Sequence, residues 1–260
     1  MRPFILQETN YSQVKDCDYS VAVLPMGATE PHNLHLPYGT DSLQSQIIGE
    51  HVCGKAWEAG AKVILLPTIP YGTETNQTKC NLSMNVNPST LGAIIKDIVA
   101  SLQGHGIHKL VILNSHGGNE FKPLLRELHG TTKVQIFLCD WFRNITKDVQ
   151  TEIFDDAGDH AGEMETALGL AFFNDLVLKN SDGKIAADAG SVAKTRFPAI
   201  NEGWVSITRP WHLLTTNTGS GNPHPATAEK GKQLMDVIVQ RLSEFLVQLA
   251  NEEIDEQFPF

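Results

Sequence analysis

The sequence predicts an α/β fold, a three-layer α/β/α sandwich with a mostly parallel central sheet. Four short runs are apolar on both faces, amphipathic helical patterns separate them, and nothing in the 260 residues resembles an interdomain linker. Strands that are apolar on both faces are typical of a parallel sheet covered by helices on each side. Strands that alternate with helices predict right-handed βαβ units. We therefore expect a single domain, residues 1–260.

Each element has its own sequence signal. Strands are predicted at Val21–Met26, Ala61–Pro67, Lys109–Asn114 and Lys133–Cys139, which are rich in Val, Ile and Leu. Helices are predicted from Asp41 to about Ala59, Pro88 to about Gln103, Glu120 to Leu128, around Glu165, and Pro225 to about Ala250. Pro88 is typical of a first helical turn and Gly104 of a helix end. The segment Lys184–Gly221 is rich in Gly, Thr, Asn and Pro, and we expect loops with a short hairpin there.

The composition limits the classes of function. A formal net charge of −10 argues against a nucleic-acid surface, because phosphate binding depends on clustered Lys and Arg. No segment is long and apolar enough for a signal peptide or a membrane span, so no membrane partner is expected. The four cysteines form no CxxC pair and suit a reducing compartment better than a disulfide framework. We expect a cytoplasmic enzyme or binding protein.

Half of a metal site is predicted in the segment that follows the first apolar run. Pro31 lies between Glu30 and His32, so the chain is extended here rather than helical, and residues two apart point to the same side. Glu30 and His32 would then face one ion, with Asp41 returning at the start of the next element. Carboxylate and imidazole together suit Zn, Mn or Fe.

A second cluster, Asn114–Asn119, follows the third apolar run. It would lie at the carboxyl ends of the strands, where open α/β sheets bind ligands. His116 would lie at the strand tip, while Gly117 and Gly118 allow backbone amides to approach a ligand closely. A phosphate-binding loop of a nucleotide-binding protein or transferase is the alternative, although neither GxGxxG nor GxxxxGK is present.

The third cluster, Asp159–Thr166, leads into a helical pattern. Glu165 would lie in the first turns and His160 just before them, so that both could face one pocket. A carboxylate can bind a metal while a nearby histidine transfers protons. Simpler interpretations stay open for each cluster: Glu30 and Glu165 as solvated carboxylates, the histidines as hydrogen-bonded loop residues, and Asp41 as a helix cap.

Together with Gly219–Pro223 and Ala226–Gly231, these clusters resemble the creatininase (creatinine amidohydrolase) family, in order, from about residue 20 to 232. The resemblance implies a metal-dependent amidohydrolase that acts on non-peptide or unusual C–N bonds. It also implies the three-layer sandwich and a homo-oligomer, often a hexamer. Members include creatininases, formamide deformylases of flavin and deazaflavin biosynthesis, and a peptidase that trims a redox-cofactor precursor peptide.

The resemblance assigns roles to individual positions. Four residues match metal ligands, namely Glu30, His32, Asp41 and His116. Asp41 matches the bridging carboxylate, His160 a histidine near the substrate, and Glu165 a carboxylate that many members bring to the metals. The implied cofactor is one or two divalent ions per chain, with Zn as the first choice and Mn or Fe as alternatives.

Two departures argue against creatinine itself as the substrate. The resemblance to creatininases implies a His-x-Glu motif at the strand-tip loop, with its Glu as a ligand of the second metal. Here Gly118 lies at the position of that Glu. Glu165 would replace the missing ligand, as the Gly-Gly-Asn branch of the family suggests. The segment Tyr71–Met84 lacks the His and the Phe-Pro-Gly-Thr run of relatives. We expect it to shape the substrate pocket, with Tyr71 in contact with the substrate.

The expected reaction is hydrolysis of a cyclic amide or formamide in a small molecule. Divalent ions would lower the pKa of a bound water, and the resulting hydroxide would attack the carbonyl. Amides around Gly117 and Gly118 would stabilise the oxyanion, and His160 would carry a proton to the leaving nitrogen. A catalytically lapsed metal-binding homologue, and a peptidase or deformylase of cofactor biosynthesis, are the alternatives.

Overall fold

The computed structural model describes residues 2–260 and centres on a four-stranded sheet. The strands are β1 (Val21–Met26), β2 (Val63–Leu65), β3 (Lys109–Asn114) and β4 (Gln135–Asp140), in the order β2-β1-β3-β4. All three neighbouring pairs are parallel, which confirms the predicted sheet. β2 is shorter than predicted, because only three of its residues pair with β1, and β4 begins and ends slightly later.

Longer helices surround this sheet close to the predicted positions. They are Thr40–Glu58, Pro88–Gly104, Lys122–Leu128, Glu163–Phe172 and Ala228–Asn251. Short helical turns lie at Leu6–Glu8, Tyr11–Val14, Gln150–Ile153, Asn174–Leu176, Pro198–Asn201 and Trp211–Leu214. None of the helices in residues 2–260 combines the length and apolarity needed to cross a membrane.

The sheet separates two apolar cores. Val21 and Val23 of β1 point into the first core, which the helices Thr40–Glu58, Glu163–Phe172 and Ala228–Asn251 cover. The intervening side chains of β1 point to the opposite face, which the helices Pro88–Gly104 and Lys122–Leu128 cover. This alternation follows from the two-residue period of a strand, and it confirms the three-layer sandwich.

One close contact fixes the helix that carries Glu165. A Cβ atom on Gly231, in the helix Ala228–Asn251, would lie only 2.1 Å from the carbonyl oxygen of Ala167. The two helices can therefore pack at this distance only because position 231 has no side chain. Glu163 reinforces the packing, since its buried carboxylate pairs with Lys230 and accepts hydrogen bonds from the backbone amides of residues 155 and 156.

The segment Lys184–Gly221 differs from the prediction of loops with a short hairpin. It contains the four-residue helices Pro198–Asn201 and Trp211–Leu214, and isolated antiparallel bridges join Gly190 to Gly221 and Val192 to Thr215. The bridges close the base of a long excursion instead of forming a continuous hairpin. Prolines at both helix starts favour these turns, a signal that the glycine-rich composition obscured.

Candidate metal centre

The predicted site residues border one cavity at the carboxyl ends of β1 and β3. These two strands end level with each other, with Met26 paired to Asn114. The cavity has a volume of about 670 Å³, and seven of the nine predicted site residues line it: Glu30, Asp41, His116, Gly117, Gly118, His160 and Glu165. Its outer wall comes from other segments, including residues 75–77, 142–143, 207–209 and 211. Residues of all three sequence clusters therefore lie around one cavity.

Asp41 lies between two histidines. It occupies the first turn of the helix Thr40–Glu58 and is 1% exposed. Its Oδ1 lies 3.1 Å from Nε2 of His32, and its Oδ2 lies 3.0 Å from Nδ1 of His116. A carboxylate that turns one oxygen to each of two imidazoles has the geometry of a bridging group.

Glu30 and His32 follow β1 on the extended segment predicted around Pro31. Nδ1 of His32 lies 3.1 Å from the backbone oxygen of Glu30, which sets the ring so that Nε2 faces Asp41. Oε1 of Glu30 lies 2.8 Å from Nδ1 of His116, and its Oε2 accepts a hydrogen bond from Gln77. The sequence predicts that Glu30 and His32 face one ion. In the structure their nearest partners differ, because Glu30 faces His116 and His32 faces Asp41.

A network of asparagine amides holds His116 at the strand tip. The side chain of Asn114 donates to the backbone oxygen of His116 at 2.9 Å and accepts from its amide at 3.2 Å. Asn119 in turn donates to Asn114 at 3.1 Å and to the backbone oxygen of Gly27 at 3.2 Å. Because both amides are fully engaged, the loop holds His116 in a fixed position beside β1.

His160 and Glu165 reach the same centre from the third cluster. Oε1 of Glu165 lies 4.0 Å from Nε2 of His32, and its Oε2 accepts from the amide of Ala161 at 2.5 Å. Nε2 of His160 lies 2.9 Å from the backbone oxygen of Pro31 and so carries the proton, which leaves Nδ1 facing Glu30 at 3.9 Å. The His160 ring also stacks on His32, with centroids 4.2 Å apart.

The buried charges strongly perturb one another. Burial alone lowers the pKa of His32, but the carboxylates of Asp41 and Glu165 raise it to about 10. Burial favours the neutral form of Asp41, yet His32 and His116 outweigh it and hold the pKa of this carboxyl well below its usual range. Burial raises the pKa of Glu165 to about 7 and lowers that of His160. At neutral pH, His160 is therefore the uncharged imidazole of the group.

The donor set fits divalent cations. Three groups of His and carboxylate atoms lie within 4.8 Å of one another: Glu30, His32 and His160; Glu30, Glu74 and His116; and His32, Asp41 and Glu165. Asp41 Oδ2 and His116 Nδ1 are both buried and lack an aligned hydrogen bond, although they are 3.0 Å apart. Buried polar atoms without partners are costly, and a cation between them would satisfy both. Oxygen and imidazole nitrogen are suitable ligands for Zn, Mn or Fe.

Three predicted substrate contacts have different outcomes. Gly117 and Gly118 line the cavity, and neither amide donates a hydrogen bond within residues 2–260. Tyr71 is 49% exposed and does not line the cavity, so the prediction for this residue is corrected. Its segment does shape the pocket, but through Thr73 and residues 75–77, because the chain turns inward after Gly72.

Sequence reasoning missed Glu74 and Gln77. Glu74 is completely buried, with Oε1 2.8 Å from Nε2 of His116, and Gln77 donates to Glu30. Both residues lie in an irregular segment whose pattern carries no period.

Gly118 occupies the position at which the sequence resemblance implies a glutamate ligand. A Cβ atom there would lie 2.3 Å from the backbone oxygen of Thr73 and 2.4 Å from Nε2 of His116. No side chain fits without moving one of these groups. The glycine therefore allows the Thr73–Glu74 backbone to pack directly against His116.

Comparison with known proteins shows where this architecture belongs. The family model for creatininase, described as creatinine amidohydrolase, matches residues 7–246. The chain belongs to the creatininase family. Proteins of this family are hydrolases that act on C–N bonds. The resemblance predicted from the motifs is confirmed at the level of the family, whereas the Gly-Gly-Asn branch stays a prediction.

Individual creatininase-family relatives are similar over most of their lengths. A Bacteroides fragilis NCTC 9343 protein of known structure, provisionally named a creatinine amidohydrolase, is 33% identical, with a TM-score of 0.88 over 98% of this chain and 100% of that chain. The mycofactocin precursor peptide peptidase of Mycobacterium ulcerans (strain Agy99) is 26% identical over 223 residues, 84% of this chain and 80% of the relative. Creatinine amidohydrolase of Pseudomonas putida is 25% identical over 264 residues, 94% of this chain and 91% of the relative.

Solved creatininases share the same fold at lower identity. A manganese form and a variant in a zinc–zinc form are each 22% identical to this chain, with TM-scores of 0.72 and 0.71. Both alignments cover 96% of this chain and 99% of the other. At this identity the likeness establishes the fold alone.

Proposed function

We propose that this protein is a metal-dependent amidohydrolase that cleaves the C–N bond of a cyclic amide or formamide in a small molecule. The observation that carries the proposal is the position of Asp41, which turns one oxygen to each of two histidines beside a cavity. The proposed ligands are Glu30, His32, Asp41, His116 and Glu165. They would hold one or two divalent ions, with Zn as the first choice, as solved creatininases named for Mn and Zn–Zn forms suggest.

A bound divalent ion supplies Lewis-acid chemistry, which polarises a carbonyl and makes water more acidic. The remaining work falls to side chains and amides of the chain. The unpaired amides of Gly117 and Gly118 line the cavity and would donate hydrogen bonds to the oxyanion that develops on the substrate. Such donors are effective because the fold fixes them before the reaction begins.

His160 is the proposed proton carrier. Its Nε2–H donates to Pro31, and burial keeps the ring neutral, so Nδ1 is the atom free to accept a proton. From there the proton passes to the leaving nitrogen of the substrate. Trp211 packs edge-on against the ring, with centroids 5.5 Å apart, and limits its rotation.

A peptidase is the second candidate, because one relative is named as a precursor peptide peptidase. The two activities are separated by assaying the purified protein with a formamide, a cyclic amide and a short peptide. Cleavage of the peptide alone would replace the small-molecule proposal. Retained metal with no hydrolysis of any of the three would favour a catalytically lapsed binding protein.

The metal requirement is tested by elemental analysis of the purified wild-type protein and of Asp41→Ala. We expect one or two Zn, Mn or Fe ions per chain in the wild type and loss of metal in the variant, because Asp41 contacts both histidines. Full metal occupancy in Asp41→Ala would refute the bridging assignment. A wild-type protein without any divalent metal would refute the proposed function.

A homo-oligomer, such as a hexamer, is also proposed. Its support is a group of large apolar side chains that are exposed on the excursion between Gly190 and Gly221: Phe197, Trp204, Val205, Ile207 and Leu213. Large apolar side chains that are exposed together in one segment are a feature of protein–protein interfaces. Ile207 also lines the cavity, so an assembled neighbour would lie close to the site.

A further inference from the structure

Glu74 is a buried carboxylate that the proposed ligand set does not use. It is completely buried, and neither of its oxygens has an aligned hydrogen-bond donor. The nearest ion-pair partner is His116, whose Nε2 lies 2.8 Å from Oε1 of Glu74. An isolated buried carboxylate is strongly unfavourable, so its retention at this point requires a compensating role.

The two nitrogens of His116 face different surroundings. Nδ1 faces Glu30 and Asp41 of the proposed metal site, at 2.8 Å and 3.0 Å. Nε2 faces away from these ligands, toward Glu74 and the backbone oxygen of Thr73 at 3.2 Å. A metal held by Glu30 and Asp41 would take the lone pair of Nδ1, and the ring would then keep its proton on Nε2, where Glu74 and Thr73 accept it.

The backbone fixes Glu74 in this position. The amide of Glu74 donates to the side chain of Asn85 at 2.8 Å, and the amide of Thr73 donates to Asn119 at 3.0 Å. Asn119 belongs to the same loop as His116, so the carboxylate and the imidazole share a rigid frame. Gly118 provides the space, because any Cβ there would displace Thr73.

The geometry points to Glu74 as a positioning residue that holds His116 in the orientation and tautomer required for metal binding through Nδ1. This inference rests on the proposed function, because it requires a metal at Nδ1. Outer carboxylates of this kind orient a metal-binding histidine and increase its basicity, and their loss typically weakens metal binding about 10–100-fold.

The test compares Glu74→Gln with wild type in chelator-competition titrations with Zn²⁺. We expect metal affinity about 10–100-fold lower at unchanged stoichiometry, since the amide keeps the shape but loses the charge. Glu120→Gln is the matched control, because Glu120 lines the same cavity but is exposed and forms no ion pair within residues 2–260. Its affinity should stay within about twofold of wild type. Equal affinities for Glu74→Gln and wild type would overturn the inference alone, whereas no metal binding by wild type would overturn the proposed function as well.

Three further readouts separate positioning from other roles. The metal-free Glu74→Gln variant should unfold at the same temperature as wild type or higher, because the amide oxygen still accepts from Nε2 of His116 while a buried charge is removed. A lower unfolding temperature would indicate a structural role instead. In the Co²⁺-loaded protein, loss of a ligand on substitution, seen as altered visible absorption, would identify Glu74 as a direct ligand and overturn the positioning role. Nitrogen-15 NMR of the Zn-loaded wild type needs no variant: a proton on Nδ1 of His116 would also overturn it.

Discussion

Substitution of Gly118 by alanine tests whether the contact between the strand-tip loop and the Thr73–Glu74 segment supports the metal site. The new Cβ would lie 2.3 Å from the backbone oxygen of Thr73 and 2.4 Å from Nε2 of His116. A carbon–oxygen contact needs about 3.3 Å, so one of the two groups must move by about 1 Å. Either movement separates His116 from its acceptors.

The expected magnitudes follow from this displacement. Overpacking of a buried site costs about 1–3 kcal/mol of unfolding free energy. For a domain of this size that corresponds to a melting temperature about 2–12 °C lower in the metal-free protein. Metal affinity should fall about 10–100-fold, as expected when the partner of a metal-binding histidine is displaced.

Calorimetry of the protein in the presence of a chelator measures the melting temperature, and titration with Zn²⁺ measures the metal affinity. Gly117→Ala is the matched control for stability and metal affinity, since a Cβ at that position meets no atom within 4 Å. If Gly118→Ala melts and binds Zn²⁺ as wild type does, the close contact is unimportant and the reasoning fails. If both variants lose stability equally, the effect arises from the loss of glycine flexibility rather than from the clash.

Two further predictions concern protons. Because burial raises the pKa of Glu165 to about 7 and the carboxylates raise that of His32 to about 10, both groups retain protons at pH 6 that a metal must displace. Apparent Zn²⁺ affinity should therefore rise from pH 6 to 8, by about tenfold per pH unit for each proton released. Titration calorimetry in two buffers of different ionisation enthalpy measures the affinity and the number of protons released. An affinity that does not change with pH would contradict the assignment of His32 and Glu165 as ligands. His160→Ala should keep its metal content by elemental analysis but lose about 10²–10⁴-fold in turnover, and retention of full turnover would exclude His160 as the proton carrier.

The central sheet was predictable because its signal is local. β1 and β3 match the predicted ranges Val21–Met26 and Lys109–Asn114, since both strands lie in the middle of the sheet and are buried on both faces. β2 lies at the edge and pairs over only three residues, so its apolar run extends beyond its hydrogen bonds. An apolar run indicates which residues are buried, not which residues pair with a neighbouring strand. At the edge of this sheet the buried run is longer than the paired strand.

The site was predictable only in part, because its assembly depends on long-range contacts. His32 comes from a segment predicted to follow a strand and Glu165 from the first turns of a predicted helix, and the structure brings them within 4.0 Å. Glu74 gave no such signal. Its position depends on hydrogen bonds from its own segment to Asn85 and Asn119, which only the folded chain brings together.

The donors and the outer wall of the cavity come from different parts of the chain. Residues 75–77, 142–143, 207–209 and 211 line the pocket without supplying a proposed ligand. Gln77 donates to Glu30 and Trp211 packs on His160, but the other residues form no hydrogen bond or ion pair with a proposed ligand within residues 2–260. Substitutions at those other positions would change which molecule fits and leave the proposed ion-binding groups in place. Divergence toward a new substrate would then leave the proposed metal-binding groups unchanged. Relatives named for creatinine and for a precursor peptide are the outcome expected from that kind of divergence.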